Sequence, residues 1–504
     1  MENEKIIEMT PNYFAPYADM AELARIIHEG ESLETMWARV SKEYADLVAI
    51  SDGEEYTFAR LDSDVAAFRG VLKNAGVNKG DFVGIFLPNS YAFVKAFLAA
   101  TTLGAVAVLL PPHLEDKAVY GLSQKFKFTA LVYSEPMAEK VQLAGTLSLK
   151  LVNASEAASP VPANPCSPSD PCAVLFTGGT TGKSKGALLN HGAVIRGTIN
   201  GCYGFAGIER QRYLLVLPLT HVFGLIRNLL TSLYTGSTLR ICRNNKDMFR
   251  EMAVFKPTVL VIVPALAEMG INLSKQMKAG AKLFGGELHH IISGACAVPQ
   301  HLINEYNEIG ITMLAGYGLT ESSNLVSGNP IPLQKPHSVG LPYPKQSLRI
   351  VNGELWIKGD HVMTCYLGDE AENKAAFEDG WFKTGDLVRF DEDGFLYIVG
   401  RIKEVIVLSS GEKVSPAELE VSFCAPDYIN DAEVFEDTEN GRSILALEVV
   451  VRPGYTVSKE QVKAEMERIN LTLPSHARVN KIVVRDEDFP RSPSMKKIRR
   501  GMQK

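Results

Sequence analysis

Ten consecutive residues, Thr177-Gly178-Gly179-Thr180-Thr181-Gly182-Lys183-Ser184-Lys185-Gly186, carry four hydroxyls, two ammonium groups and four glycines. They follow the apolar run Ala173-Val174-Leu175-Phe176, which reads as a strand delivering a loop. Glycines let backbone N–H groups turn toward an anion, while the hydroxyls and lysines add donors and charge, so the stretch reads as a cradle for a polyanion such as phosphate. A flexible Gly/Ser/Thr surface loop is the alternative on composition alone. The nucleotide loop G-x-x-x-x-G-K-[ST] is excluded by one residue, since Gly178 and Gly182 enclose three positions rather than four.

Other segments could complete such a site. Gly316-Tyr317-Gly318-Leu319-Thr320-Glu321 and Gly294-Ala295-Cys296 each follow an apolar run, and Asp386 lies in Thr384-Gly385-Asp386-Leu387. Alone, each has a plain reading: Tyr317 as packing, Asp386 as a turn aspartate, and the cluster Lys496-Lys497-Ile498-Arg499-Arg500 as a solvated basic tail.

The elements that must position these residues alternate in period. A helix over 61–74, a strand over 83–87, a helix from Tyr91 and a strand over 105–110 are followed by strands over 214–217, 259–263 and 290–293 and a helix over 223–234. This alternation predicts layered α/β structure with substantial parallel sheet, with ligands beyond the carboxyl ends of the strands. Residues 159–171, rich in Pro, Ser, Asn and Ala, read as a linker. Short strands over 353–357 and 395–399 suggest a small β-rich subdomain. Strands over 444–451 and 481–484 with a helix over 460–469 suggest a compact α+β domain.

Composition sets the frame. The chain has 504 residues, 46% of them hydrophobic, with 52 basic against 58 acidic residues, so any phosphate binding is local and a nucleic-acid partner is not expected. Seven scattered cysteines without a C-x-x-C pair speak against a disulfide framework or a zinc site and fit a reducing cytoplasm. The N-terminus lacks the basic-then-apolar pattern of an export signal. The most membrane-like stretch, residues 96–110, is too short to span and reads as helix, turn and buried strand.

Taken together and in order, the segments resemble the adenylate-forming superfamily of acyl-CoA synthetases, peptide-synthetase adenylation domains and firefly-type luciferases, and most resemble acyl-CoA ligases. The matching text is TGGTTGKSKGA from Thr177, PLTHVFGL from Pro218, GYGLTE from Gly316, GELWIKG from Gly353, GWFKTGDL from Gly380, GRIKEVI from Gly400, GEKVSPAELE from Gly411 and PRSPSMKKIRR from Pro490. The likeness runs from about Tyr56 to Arg500.

That resemblance implies a large N-terminal ATP- and acyl-binding domain over 1–400, built of layered α/β subdomains plus the β-rich one. A small mobile α+β lid carrying a catalytic lysine would follow over 401–504. It implies that Thr177, Thr180, Thr181 and Lys185 hold the β- and γ-phosphates of ATP, that Tyr317 stacks on adenine, and that Thr320 bonds the α-phosphate. Glu321 would bind Mg²⁺, Asp386 would accept the ribose hydroxyls with Arg401 beside them, and Lys496 would bridge the substrate carboxylate and α-phosphate. Lys403 falls on the hinge position and Gly411 faces the thiol tunnel. Gly178, where a second hydroxyl is usual, and Met495, where glycine is common, depart from the pattern.

His221 aligns with the gate beside the acyl carboxylate, and Val222, Phe223, Ala295, Cys296, Ala315 and Leu325 would form an apolar wall for an aliphatic or aryl acid. Arg227 could reach a second carboxylate. However, Arg227, Thr231 and Tyr234 form one polar stripe at helical spacing, which reads as a solvated face. The function so implied is an ATP- and Mg²⁺-dependent carboxylic acid:CoA ligase, with coenzyme A as co-substrate. The alternatives are a stand-alone adenylation enzyme loading an acyl carrier protein and a catalytically impaired nucleotide-binding or acyl-adenylate-binding homologue.

Overall fold

Strand after strand in the first two-thirds of the chain is apolar on both faces, which suits parallel sheet covered by helices on either side. The computed structural model describes residues 4–7, 12–177, 185–408, 412–439, 442–491 and 497–500. Among these, one sheet runs in the order Cys365–Tyr366, Gly186–Asn190, Pro171–Phe176, Val106–Leu109, Phe82–Phe86, Ala130–Tyr133 and Lys150–Asn153. A second has the parallel strands Thr312–Tyr317, His290–Ser293, Val259–Ile262, Arg212–Leu215, Thr238–Ile241 and Val48–Asp52 at its centre, flanked by antiparallel edges.

Helices Phe58–Asn74 and Tyr91–Thr102 confirm the expected alternation, and residues 96–110 form helix, turn and buried strand. No helix among the described residues is long and apolar enough to cross a membrane. Residues 159–171 are not a free linker. Val161 donates its N–H to Ala66 O and Asn164 donates to Thr102 O, and a methyl at Gly70 would collide with Ser159 O, so the segment is strapped across two helices.

The β-rich portion is an antiparallel sheet containing Gln346–Val351, Glu354–Gly359, Trp381–Phe390 and Leu396–Arg401. Beyond it, Ile429–Glu439, Arg442–Val451 and Lys481–Arg485 form a separate sheet. Helix Lys459–Thr472, closed at its start by a Ser458/Gln461 capping box, packs Val462 and Met466 against a core that includes Phe423, Leu447 and Val449. This hydrophobic cluster is distinct from the two of the larger part, which is what makes it a separate C-terminal domain.

Three histidines inside the larger part carry a stability consequence. His191 accepts a hydrogen bond at Nδ1 from Leu33 N, His290 stacks on Phe205 with ring centroids 4.0 Å apart, and neither ring nitrogen of buried His361 has a partner. Burial pushes His191 and His290 down to about 4 and His361 down to about 3, from 6.5. As pH falls below about 6.5, the unfolded chain takes up protons that the folded form refuses, so stability is full at neutral pH and is lost on acidification. Urea unfolding at pH 7.5 and pH 5 is expected to show a loss of several kcal/mol at the lower pH. An unchanged midpoint would contradict it.

Candidate active site

The carboxyl ends of the central parallel strands open into a cavity of about 400 Å³. It is lined by residues from the second sheet, by Thr177, Lys185 and Tyr366 at the edge of the first, and by the 401–404 turn leading into the C-terminal domain.

Strand Thr312–Tyr317 runs straight into a 3₁₀ turn at Thr320–Ser322. The chain doubles back so tightly that a Cβ at Gly318 would lie 1.2 Å from Asn324 O, which is why this position must be glycine. The turn is locked by Leu319 N donating to Ser322 Oγ and by Asn324 N donating to Leu319 O. Thr320, Glu321 and Tyr317 thereby all line the cavity.

Across from them, Tyr317 donates its hydroxyl to Asp386 Oδ2 at 2.5 Å, and Arg401 Nε donates to Asp386 Oδ1 at 2.7 Å. Asp386 is 2% exposed on strand Trp381–Phe390, paired in register with Arg401 on the neighbouring strand. Burial, followed by the neighbouring carboxylate, raises the Tyr317 phenol well above its usual range, so it stays a protonated donor.

A third cluster joins the loop lysine to the glutamate. Lys185 Nζ lies 2.5 Å from Glu372 Oε2 and 4.7 Å from the centre of the Tyr366 ring. Tyr366 in turn donates its hydroxyl to Glu321 Oε1 at 2.7 Å. A single tyrosine therefore carries the ammonium on its face and the carboxylate on its edge. Thr177, whose N–H donates to Lys185 O, also lines the cavity.

His221 lines the cavity and accepts at Nδ1 from Phe223 N at 3.4 Å. Val222, Phe223, Ala295, Ala315 and Leu325 are cavity residues as well. Cys296 is exposed and is not a lining residue. Ala295 adopts φ 67°, a left-handed turn that aims the next side chain outward. Lys403 is exposed on the 3₁₀ turn Ile402–Glu404 and reaches the cavity rim. Thr180, Thr181, Gly411 and Lys496, with Gly178 and Met495, lie outside the described residues.

The reading of Arg227, Thr231 and Tyr234 as a solvated face is wrong: they are 2%, 0% and 0% exposed. The helix runs as a π-helix over Phe223–Leu230 and continues as α-helix over Thr231–Tyr234, with both faces covered. Sequence reading also missed Tyr366, Glu372 and Glu354. Glu354 accepts from Gly385 N and Trp356 Nε1, fixing the loop before Asp386. Nothing local announces Tyr366; it reaches the site through pairing with Ala187 on a strand far away in sequence.

A magnesium ion fits this donor set. Glu321 supplies one hard carboxylate, and no group of three His, Cys, Asp or Glu among the described residues could form a cage. An ion that takes one or two protein carboxylates and completes its shell with phosphate oxygens and water needs no more.

A family model described as AMP-binding enzyme matches residues 37–367, and one described as AMP-binding enzyme C-terminal domain matches residues 403–504. Among curated proteins, the chain is 29% identical over 489 residues to a 4-coumarate–CoA ligase-like 6 of Arabidopsis thaliana, covering 86% of this chain and 83% of that one. It is 29% identical over 513 residues to an oxalate–CoA ligase of the same plant, covering 94% and 98%. The anthranilate CoA ligase AuaEII, solved with anthranoyl-AMP, superposes with a TM-score of 0.84 at 19% identity over 94% of this chain and 97% of that one. The o-succinylbenzoate CoA synthetase of Bacillus subtilis, solved with its acyl-adenylate, gives 0.79 at 23% identity over 95% and 99%. At these identities the two structures establish the fold.

Proposed function

Since the chain belongs to the AMP-binding enzyme family, we propose that this AMP-forming acid–thiol ligase activates a carboxylic acid with ATP and transfers the acyl group to coenzyme A. The observation that carries the reading is the convergence in one cavity of Lys185, Thr320, Glu321, Tyr317 and Arg401 with the apolar residues Val222, Phe223 and Leu325. Cationic and hydroxyl donors suit a nucleoside polyphosphate, and the apolar wall suits the organic part of an acid.

In the first step a carboxylate oxygen attacks the α-phosphorus, the bond to the β-phosphate oxygen breaks, and pyrophosphate leaves. Asp386 holds the ribose hydroxyls while Tyr317 covers the base, fixing the phosphorus in line with the acid. Thr320 donates its hydroxyl to the α-phosphate oxygens as charge grows on them, and Lys496 brings a cation to the same oxygens. Lys185 and Thr177, with Thr180 and Thr181, receive the departing pyrophosphate. Glu321 would hold a magnesium ion, which neutralises phosphate charge when bound. In the second step a thiolate attacks the acyl carbonyl and AMP departs. The C-terminal domain turns about Lys403 between the steps, withdrawing Lys496 and presenting Gly411 to the thiol arm.

ATP–pyrophosphate exchange with a panel of acids, followed by thioester formation with free CoA or with a phosphopantetheinylated carrier protein, tests this reading. Exchange that depends on one acid class and thioester formed with free CoA are expected. Thioester formed only on the carrier would assign the carrier-loading activity instead, and ATP binding without exchange for any acid would refute the ligase reading.

A further inference from the structure

A guanidinium that is 2% exposed ordinarily sits against a carboxylate. Arg227 does not. It forms no ion pair among the described residues, and its Nη1 has no hydrogen-bond partner. The groups it acts on electrostatically are the buried phenols of Tyr213 and Tyr343, the Cys202 thiol and the His290 ring, none of them a carboxylate. Yet Arg227 lines the cavity, one turn after Phe223 on the π-helix.

The acidic groups of the cavity cannot serve it, because each is already engaged. Glu321 is bonded by Tyr366, Glu372 by Lys185, Glu354 by Gly385 N and Trp356, and Glu404 by Arg499. The space around the guanidinium is also kept clear, since a Cβ at Gly204 would stand 2.9 Å from Nη2. A second donor is left over in the same cavity: Asn324, 7% exposed and among its lining residues, has an Nδ2 with no partner. A buried cation with an unbonded Nη1 and a buried amide with an unbonded Nδ2, both on the cavity wall and neither facing a carboxylate, describe a receptor for an anion that the protein does not supply.

We propose that the acid activated here carries a second anionic group, a carboxylate remote from the reacting one, which Arg227 receives with Asn324 supporting it. The inference rests on the acid:CoA ligase reading and names its substrate class as a dicarboxylic acid. The charge also explains how discrimination would arise. A monocarboxylic acid of equal length leaves the guanidinium desolvated and unpaired, and sites built to bond a polar group reject analogues lacking it far more strongly than apolar pockets reject a missing methylene.

The test uses the full-length enzyme in ATP–pyrophosphate exchange. The acids are the α,ω-dicarboxylic series from oxalate to suberate, each paired with the monocarboxylic acid of equal carbon count, and the carboxybenzoates paired with benzoate. The wild-type enzyme is expected to prefer one diacid over its matched monoacid by at least about 100-fold in kcat/KM. Arg227→Met is expected to erase that preference through KM for the diacid, and Arg227→Lys to restore part of it. The wild-type ratio alone decides the matter if a variant fails to fold. A wild-type preference for the monoacid of every pair overturns the inference and leaves the ligase reading standing, as does a diacid preference that survives Arg227→Met. Absence of exchange with every acid overturns both.

Discussion

Lys496→Ala is expected to lower acyl-adenylate formation by about 10²–10³-fold while leaving thioester formation from supplied acyl-adenylate near the wild-type rate. The resemblance assigns the role to Lys496, and the neighbouring cations are engaged within the C-terminal domain. Lys497 donates to Asp431 Oδ1 at 2.8 Å and to Ala432 O at 2.6 Å, and its ammonium lies 5.1 Å from the Phe489 ring centre. Arg499 makes paired hydrogen bonds to Glu420 and a further ion pair to Glu404. Those charges hold the C-terminal domain together, and moving them to a phosphate would strand buried carboxylates. Lys497→Ala is accordingly expected to lower thermal stability and impair both half-reactions together. Single-turnover measurement of each half-reaction separates the cases, and equal loss of both in Lys496→Ala would refute its role.

Asp386→Ala is the second large effect. The side chain accepts from Tyr317 and Arg401 at once, and it is the buried member of the Asp386–Arg401 pair. Hydrogen bonds to a charged group contribute about 1.5–3 kcal/mol each, so losing even one ribose contact corresponds to a rise of about 10–150-fold in KM for ATP. Asp386→Asn, which keeps the shape and one acceptor but not the charge, should fall between. Calorimetric titration of ATP into each variant measures the effect directly. Unaltered ATP affinity in Asp386→Ala would remove this residue from the nucleotide site.

The segments around Tyr317 and Thr320 that line the cavity were readable because their glycines, hydroxyls and charges are contiguous in sequence, and the Gly318–Asn324 crossing folds them into one tight turn. The parallel strands were readable because burial on both faces leaves an uninterrupted apolar run, as at Val259–Ile262. The helix along the apolar side of the cavity was less so. Between 223 and 235 the helix is polar in text and buried in fact, because its hydroxyls bond the helix's own carbonyls: Thr231 to Ile226 O, Ser232 to Leu229 O and Thr235 to Thr231 O. Polarity spent in this way gives no signal of exposure. Arg227 looked like one more member of that stripe, and only the packing around it distinguishes a charge without a counter-charge. Cys296 is exposed and outside the cavity lining, next to Ala295 with its left-handed backbone, a conformation that its sequence does not announce.

The Tyr366 cluster alters what nucleotide entry means thermodynamically. In the resting pocket Lys185 sits on Glu372 and Glu321 accepts from the Tyr366 hydroxyl, so both phosphate-side groups already have partners within the protein. On the proposed reading, arrival of a metal–polyphosphate complex there would be an ion exchange: Lys185 would trade a carboxylate for a phosphate, and Glu321 would trade a phenol for the metal. The release of Glu372, on the helix Glu370–Ala376, is then the motion that marks a filled site.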